Sequence, residues 1–231
     1  MKILIYDKMQ DANGVPTLIK TPALGDAYSA ASSFPVNFDS GEKINCVGIG
    51  YTDATELTLT SSDFDTRTID ITKSIPDQNG LYLIDEIDPD DEYEMDFEVS
   101  HNGTYIGRVG LGEYRKLGTS PSKEIGFYST NENRITKGGQ VIPGGGGITG
   151  RRFEADVRYK INEEIWNDIR SAMPKQIGKG FPYFLYTDDE RHKLPADMLY
   201  FYAYTNKPLS LLQSSSRRFL YSYKFSFLEG F

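Results

Sequence analysis

Between Arg152 and Ile161 the chain alternates without a break. Phe153, Ala155, Val157, Tyr159 and Ile161 take every second position, and Arg152, Glu154, Asp156, Arg158 and Lys160 stand between them. A period of two puts the first set on one face of an extended segment and the second on the other, so the stretch is satisfied as a half-buried β-strand. Directly upstream lies GGQVIPGGGGITG, Gly138 to Gly150. A phosphate-binding loop of the Walker kind would follow its glycines with Gly-Lys-Ser/Thr and the first turn of a helix, where backbone N–H groups converge on the anion. These glycines run into a strand instead, which makes the segment a connection.

The same reading extends through the first half. KILIY, INCVGIGY, ELTLT, RTIDIT, GLYLIDEI, YEMDFEVS and TYIGRVGLG are each short, and each is bounded by Gly, Pro, Asn, Asp or Ser clusters. A run of such strands with no helix between them predicts an antiparallel β-sandwich of jelly-roll or discoidin-like type over residues 1–128. In RTIDIT one face is wet, because Ile69 and Ile71 alternate with Asp70 and Thr72. In INCVGIGY, Gly48 and Gly50 would let another backbone approach closely. Residues 129–150 carry almost no apolar content and are expected to form a glycine-rich connecting and docking loop. Residues 151–231 read as a smaller, β-rich α+β assembly region. Its one helix is expected at about 162–173, with Asn162 as cap, Glu163 and Glu164 at the positive end, Ile165, Ile169, Ala172 and Met173 on one face, and Pro174 as the stop. The strands PYFLYT, ADMLYFYAY and RRFLYSYKFSFLEGF follow. In the last, Phe219, Tyr221, Tyr223, Phe225 and Phe227 form an aromatic stripe. With 16 Tyr and 13 Phe against one Trp in 231 residues, the composition agrees with a mainly β chain.

Charge and cysteine content narrow the function classes. The net charge of −8 is that of an acidic protein, whereas a nucleic-acid binder presents a dense basic face, so nucleic acid is not an expected partner. The sign is unevenly spread: residues 1–100 hold 6 Lys+Arg and 20 Asp+Glu, and residues 101–231 hold 19 and 13. Opposite halves of this kind would favour head-to-tail association of subunits. Cys46 is the single cysteine, so no intrachain disulfide forms, and a buried free thiol is its simplest role. No apolar run reaches the roughly 18 residues of a helical span, which predicts no membrane insertion and a chain soluble in the cytoplasm where it is made.

Catalysis near neutral pH usually relies on a group that titrates there, and only His101 and His192 qualify. His101 in VSHNGTYIG reads as a solvated hairpin turn and His192 in TDDERHKLPAD as a polar loop. Cys46 sits in an apolar, glycine-spaced strand, unlike an activated nucleophile. The acidic run DEIDPDDEYE, Asp85 to Glu94, lacks the Asp-x-Asp-x-Asp-Gly spacing of a calcium loop and reads as an inter-strand turn. The expectation is therefore a protein without catalytic residues, metal or cofactor. Tyrosine and arginine, both enriched where protein surfaces meet, interleave in the basic half. They nominate Arg151, Arg152, Arg158, Tyr159, Arg217, Arg218 and Tyr221 as interface residues. Tyrosines beside hydrogen-bonding side chains would also suit a glycan.

The order of these parts resembles tail or baseplate structural proteins of tailed bacteriophages, in which a discoidin-like or jelly-roll sandwich precedes a β-rich assembly region ending in an aromatic strand. The residues that carry the resemblance are IGRVGLGEYRKLG (Ile106 to Gly118), the polar glycine loop at 136–150, INEEIWNDI followed by GKGFPYFLYTDDE (Gly178 to Glu190), and the ending RRFLYSYKFSFLEGF. Related proteins often carry a tryptophan-arginine-serine step in the first third, where this chain has SFPVNFDSGEKINCV. The resemblance implies a virion component that assembles as a homo-oligomer or ring and with other tail or baseplate proteins. A module contacting host-surface glycans is the alternative.

Overall fold

The computed structural model describes residues 2–20, 32–62, 65–72, 80–87, 96–116, 119–129, 134–135, 137, 140–142, 149–160, 183–186, 200–205, 210–213 and 220–229. The protein is mainly β, as the alternation requires, and every strand pairing among the described residues is antiparallel. In chain order the strands are β1 (Lys2–Asp7), β2 (Ser33–Asn37), β3 (Ile44–Thr52), β4 (Glu56–Thr60), β5 (Arg67–Asp70), β6 (Gly80–Ile87), β7 (Asp96–His101), β8 (Ile106–Lys116) and β9 (Thr119–Ser129). They continue as β10 (Arg134–Ile135), β11 (Val141–Ile142), β12 (Thr149–Lys160), β13 (Tyr183–Tyr186), β14 (Tyr200–Thr205), β15 (Ser210–Gln213) and β16 (Leu220–Glu229). One helical turn, α1 (Thr17–Lys20), follows a 3-10 turn at Lys8–Gln10. The helix expected at about 162–173 lies outside the described residues.

A four-stranded sheet, ordered β2-β7-β4-β5, forms one layer. Its strands keep the period of two: in β4, Leu57 and Leu59 are buried between exposed or half-buried neighbours, and in β7 Phe97 and Val99 do the same. Pro35, which has no N–H to give a ladder, lies in the outermost strand β2, where sheets tolerate proline. The buried face meets β3, β6 and β8 in one core that includes Phe34, Val36, Leu57, Val99, Val47, Ile49, Val109 and Leu111. Met9 and Ile19 close one side of this core.

Among the described residues the second sheet has ten strands. Its path runs β6-β3-β8-β1-β13-β14-β16-β12-β9, with β15 added on β16. β3 is buried along most of its length and β8 from Ile106 to Gly112, on both faces, because the sheet curls until β13 and β14 come back against β6 and β13 against β3. Gly48 and Gly110 are cross-strand partners on the inner face of that curl, and the Phe184 ring lies over both. A Cβ built on Gly110 would come within 2.7 Å of Phe184 Cε2, and one on Gly48 would meet the ring more closely still. Leu4, Cys46, Leu81 and Phe184 form the small core there. The close approach expected of the glycine-spaced strand is thus made by a side chain from β13.

This topology crosses the boundaries expected from sequence. β1, the first strand, pairs with β8 on one side and with β13 on the other, so residues 1–128 and 151–231 share a sheet. β9 and β12 are antiparallel neighbours from Thr149–Ser129 onward, which makes residues 130–148 the connection of a long hairpin. Within it, β10 and β11 pair as a short ladder of their own.

Candidate interaction surface

Three arrangements stand out, two polar and one largely aromatic, and the first is internal. Asp7 and Arg108 form an ion pair whose side chains are 9% and 4% exposed. Arg108 lies among the glycines of β8 and reaches across to the end of β1. Its Nη1 donates to the Ile19 carbonyl at 3.2 Å, while Asp7 Oδ1 accepts from the Met9 and Leu111 amides at 3.1 and 3.2 Å. Burial pushes the Asp7 carboxyl above its ordinary range, and the Arg108 charge and the amides oppose that push. Lys20 Nζ donates to the Gln10 and Ala12 carbonyls, so the turn and α1 are tied to the same corner. With these partners the group acts as a clamp on the chain's first twenty residues. Sequence reading passed over Arg108, although a lone charge inside GRVGLG signals a buried counter-charge.

The second lies where the β3–β4 and β7–β8 connections meet. Asp53 accepts from the Thr104 and Tyr105 amides at 2.8 and 3.1 Å and from the Thr104 hydroxyl. Slight burial works to raise its carboxyl, but those hydrogen bonds outweigh it and hold the group below its ordinary value. Asn102 Oδ1 accepts from the Thr55 and Glu56 amides at 2.9 and 3.1 Å. Beside this clasp, Tyr51 adopts φ 59°, the left-handed region that bulky residues seldom enter, and its ring lies 5.0 Å from that of Tyr105.

The third is the end of the long sheet formed by β16, β12 and β9. Pairing of Phe153 with Phe227 and Ile125, and of Ala155 with Phe225, puts one apolar face across three strands. Phe153, Phe225 and Phe227 are fully buried there, with Phe225 and Phe227 stacked at 5.9 Å and Tyr183 edge-on to Phe227 at 6.0 Å. At the end of this face Arg151 meets Glu229: the guanidinium Nε donates to both carboxylate oxygens at 2.9 and 3.0 Å, and the Arg151 amide donates at 3.1 Å. The opposite face is polar, with Arg152 Nη2 on Glu124 at 2.9 Å and Ser226 Oγ donating to Glu154 at 3.1 Å. β9 is the last strand of the sheet's path. Its Phe127 is 74% exposed, far more than any other large hydrophobic among the described residues.

The residues nominated from sequence divide accordingly. Arg151 is committed to Glu229, with side chains only 12% and 9% exposed, so it is an internal strut and not a free interface charge. Arg152 is half-exposed and holds Glu124. Arg158, Tyr159 and Tyr221 fall in β12 and β16, where Tyr159 and Tyr221 are directly opposed and Arg158 faces Ser222 across the ladder. Arg217 and Arg218 lie outside the described residues, as do His192 and most of the acidic run 85–94. His101, expected in a solvated turn, is 7% exposed as the last residue of β7. The strand runs one residue further than expected, with the His101 amide on the Ser32 carbonyl at 2.8 Å, and the turn begins at Asn102. Cys46 is a buried free thiol, as expected, its Sγ directed at the Gly112 carbonyl at 3.2 Å. Burial, then the Asp7 and Glu113 charges, raise its pKa well above the ordinary thiol value. Among the described residues no His, Cys, Asp and Glu cluster is arranged to hold a metal, and no helix is long and apolar enough to cross a membrane. No family model, no curated protein and no solved structure matches the chain. Phe127 on β9 is what sequence reading missed, since its odd-numbered position on an apolar face becomes visible only once β9 is paired with β12.

Proposed function

We propose that this protein is a structural component of a bacteriophage virion, in the tail or baseplate, which assembles with copies of itself and with neighbouring tail proteins. The observation that carries the assembly part is Phe127: a phenylalanine left in water at the end of a ten-stranded sheet is the kind of surface that a partner covers. The phage assignment rests on the resemblance of the chain's layout, from the glycine-rich β8 to the aromatic β16. Association through an apolar edge is expected to persist as salt is raised, because aromatic burial is not screened as exposed charges are. Mass photometry and negative-stain images of the purified chain, across protein concentration and salt, test the reading. Multimers, rings or stacks support it; a chain that stays monomeric, alone and with candidate tail proteins, overturns it.

A second reading, a module contacting host-surface glycans, is favoured by one observation, the Tyr51–Tyr105 pair beside the Asp53 and Asn102 clasp. Aromatic faces next to polar groups suit the apolar and hydroxylated sides of a sugar. A glycan array with wild type and a Tyr105→Ala variant tests it. Loss of a binding signal in the variant supports the reading, and no signal in either removes it.

A further inference from the structure

Whatever covers Phe127 must also deal with the outer edge of β9. That strand has eleven residues and, among the described residues, pairs on one side only, with β12. The other end of the sheet is β6, against which β13 and β14 lie, whereas β9 ends the path with an outer edge that no described strand meets. Edge strands are normally protected from pairing by proline, charge or a bulge. β9 has Pro121, Lys123 and Glu124 in its first half, but Ile125 to Ser129 holds neither proline nor charge.

We propose that a second copy of the chain adds to the sheet at β9, antiparallel, about a two-fold axis through Gly126; this inference rests on the assembly reading above. A two-fold relating antiparallel edge strands stands perpendicular to the sheet, so it keeps each face on its own side and pairs odd positions with odd and even with even. The same parity sets outward-pointing N–H and C=O groups of one β9 against those of the other. An axis at Glu124 would oppose like charges directly. An axis at Gly126 sets each Phe127 opposite Ile125 of the second copy, twice by symmetry, on the side of the buried Phe153, Phe225 and Phe227. Gly126 has open space where a Cβ would stand, so nothing crowds the axis on the polar face.

Cysteine cross-linking reads this geometry, and the buried Cys46 does not compete. Opposed residues in an antiparallel pair have Cα atoms about 4.5–5.5 Å apart, within disulfide reach. Gly126→Cys in the full chain is therefore expected to give a disulfide dimer under mild oxidation. Glu124→Cys, set back from the axis in each copy, stays monomeric on the same non-reducing gel. Phe127→Lys, at an exposed position, should weaken dimerisation in sedimentation velocity by about ten-fold or more while keeping the wild-type melting midpoint at high dilution, where neither protein associates. Oligomers that form without preferential cross-linking at position 126 and that ignore Phe127→Lys would overturn the β9 interface and leave the assembly reading standing. A chain that is monomeric at every concentration on its own and cross-links at neither position would overturn the β9 interface, and one that also stays monomeric with candidate tail proteins would overturn both. If Gly126→Cys does not fold, the Phe127→Lys sedimentation result decides alone.

Discussion

Around Gly48 the protein makes room by leaving side chains out; around Phe227 it fills the room with the largest ones it has. In the curl of the long sheet, Gly48 and Gly110 face each other across β3 and β8, and a phenylalanine from β13 fills the space two side chains would have taken. At the other end, Phe153, Phe225, Phe227 and Tyr183 stack and abut. Both regions exclude water, but they are vulnerable to opposite changes. Interiors are packed closely enough that an added methyl and a lost ring are both felt.

Truncation should therefore hurt most in the aromatic region. Phe227→Ala removes a fully buried ring that touches three others and is expected to cost about 3–5 kcal/mol. Urea unfolding of the two proteins measures it. A loss below about 1 kcal/mol would mean the stack relaxes into the gap, and the contrast between the regions would fail. Enlargement should hurt in the glycine region: Gly48→Ala places a Cβ in the Phe184 ring and is expected to cost about 1–3 kcal/mol. Combining it with Phe184→Leu sharpens the comparison. If the clash is the cause, the double variant should lose less than the sum of the two single losses, since residues in contact are not additive.

How much of this was legible beforehand follows from the range of each interaction. β4 and β6 were read with their observed ends, because alternation and turn residues are local signals. β2 was missed because Pro35 argues against a strand unless the strand is known to lie at an edge. β9 was missed because its start, Thr-Ser-Pro-Ser-Lys, looks like a loop until β12 pairs with it. The spacing of glycines in β3 did announce a close neighbour, yet nothing in the sequence says that the neighbour is Phe184, 136 positions away (184 − 48). Arg151 shows the same limit. Its type suits an interface, and only the pairing of β12 with β16 brings Glu229 to it.

The two carboxylates outside the aromatic region should respond to acid with opposite sign. Asp7 has a folded pKa raised above 3.8. Its folded form binds the proton more readily than the unfolded chain, so its contribution is fully present below the unfolded pKa and is lost as pH rises through the folded one. Asp53 has a folded pKa lowered below 3.8. Its contribution is present above the unfolded value and is lost as pH falls through the folded one. Stability measured against pH should therefore show Asp53→Asn weaker than wild type at neutral pH, with the gap closing in acid. Asp7→Asn should lose the wild-type gain that appears as pH falls towards 3.8. Parallel curves for all three proteins would show that neither clamp is coupled to protonation.

The smallest effect on folding is expected where the aromatic region meets solvent. Phe127 and Phe227 are the same residue type on the same face of the same sheet, joined through β12. Phe227 is fully buried and Phe127 is 74% exposed. If burial within the chain decides what a ring contributes, Phe127→Ser should change the unfolding free energy of the dilute protein by no more than about 0.5 kcal/mol, the usual range for a surface substitution. At high concentration the outcome should differ. There the wild type gains stability from its own association, because a partner that binds only the folded state shifts the equilibrium by mass action, and Phe127→Ser should not. The measurement is the melting midpoint of both proteins across a dilution series. A wild-type midpoint that climbs with concentration while the variant's stays level would locate Phe127 in a contact made between molecules. A loss of several kcal/mol at high dilution would instead place the ring in the chain's own core, and the division between the two phenylalanines would have to be abandoned.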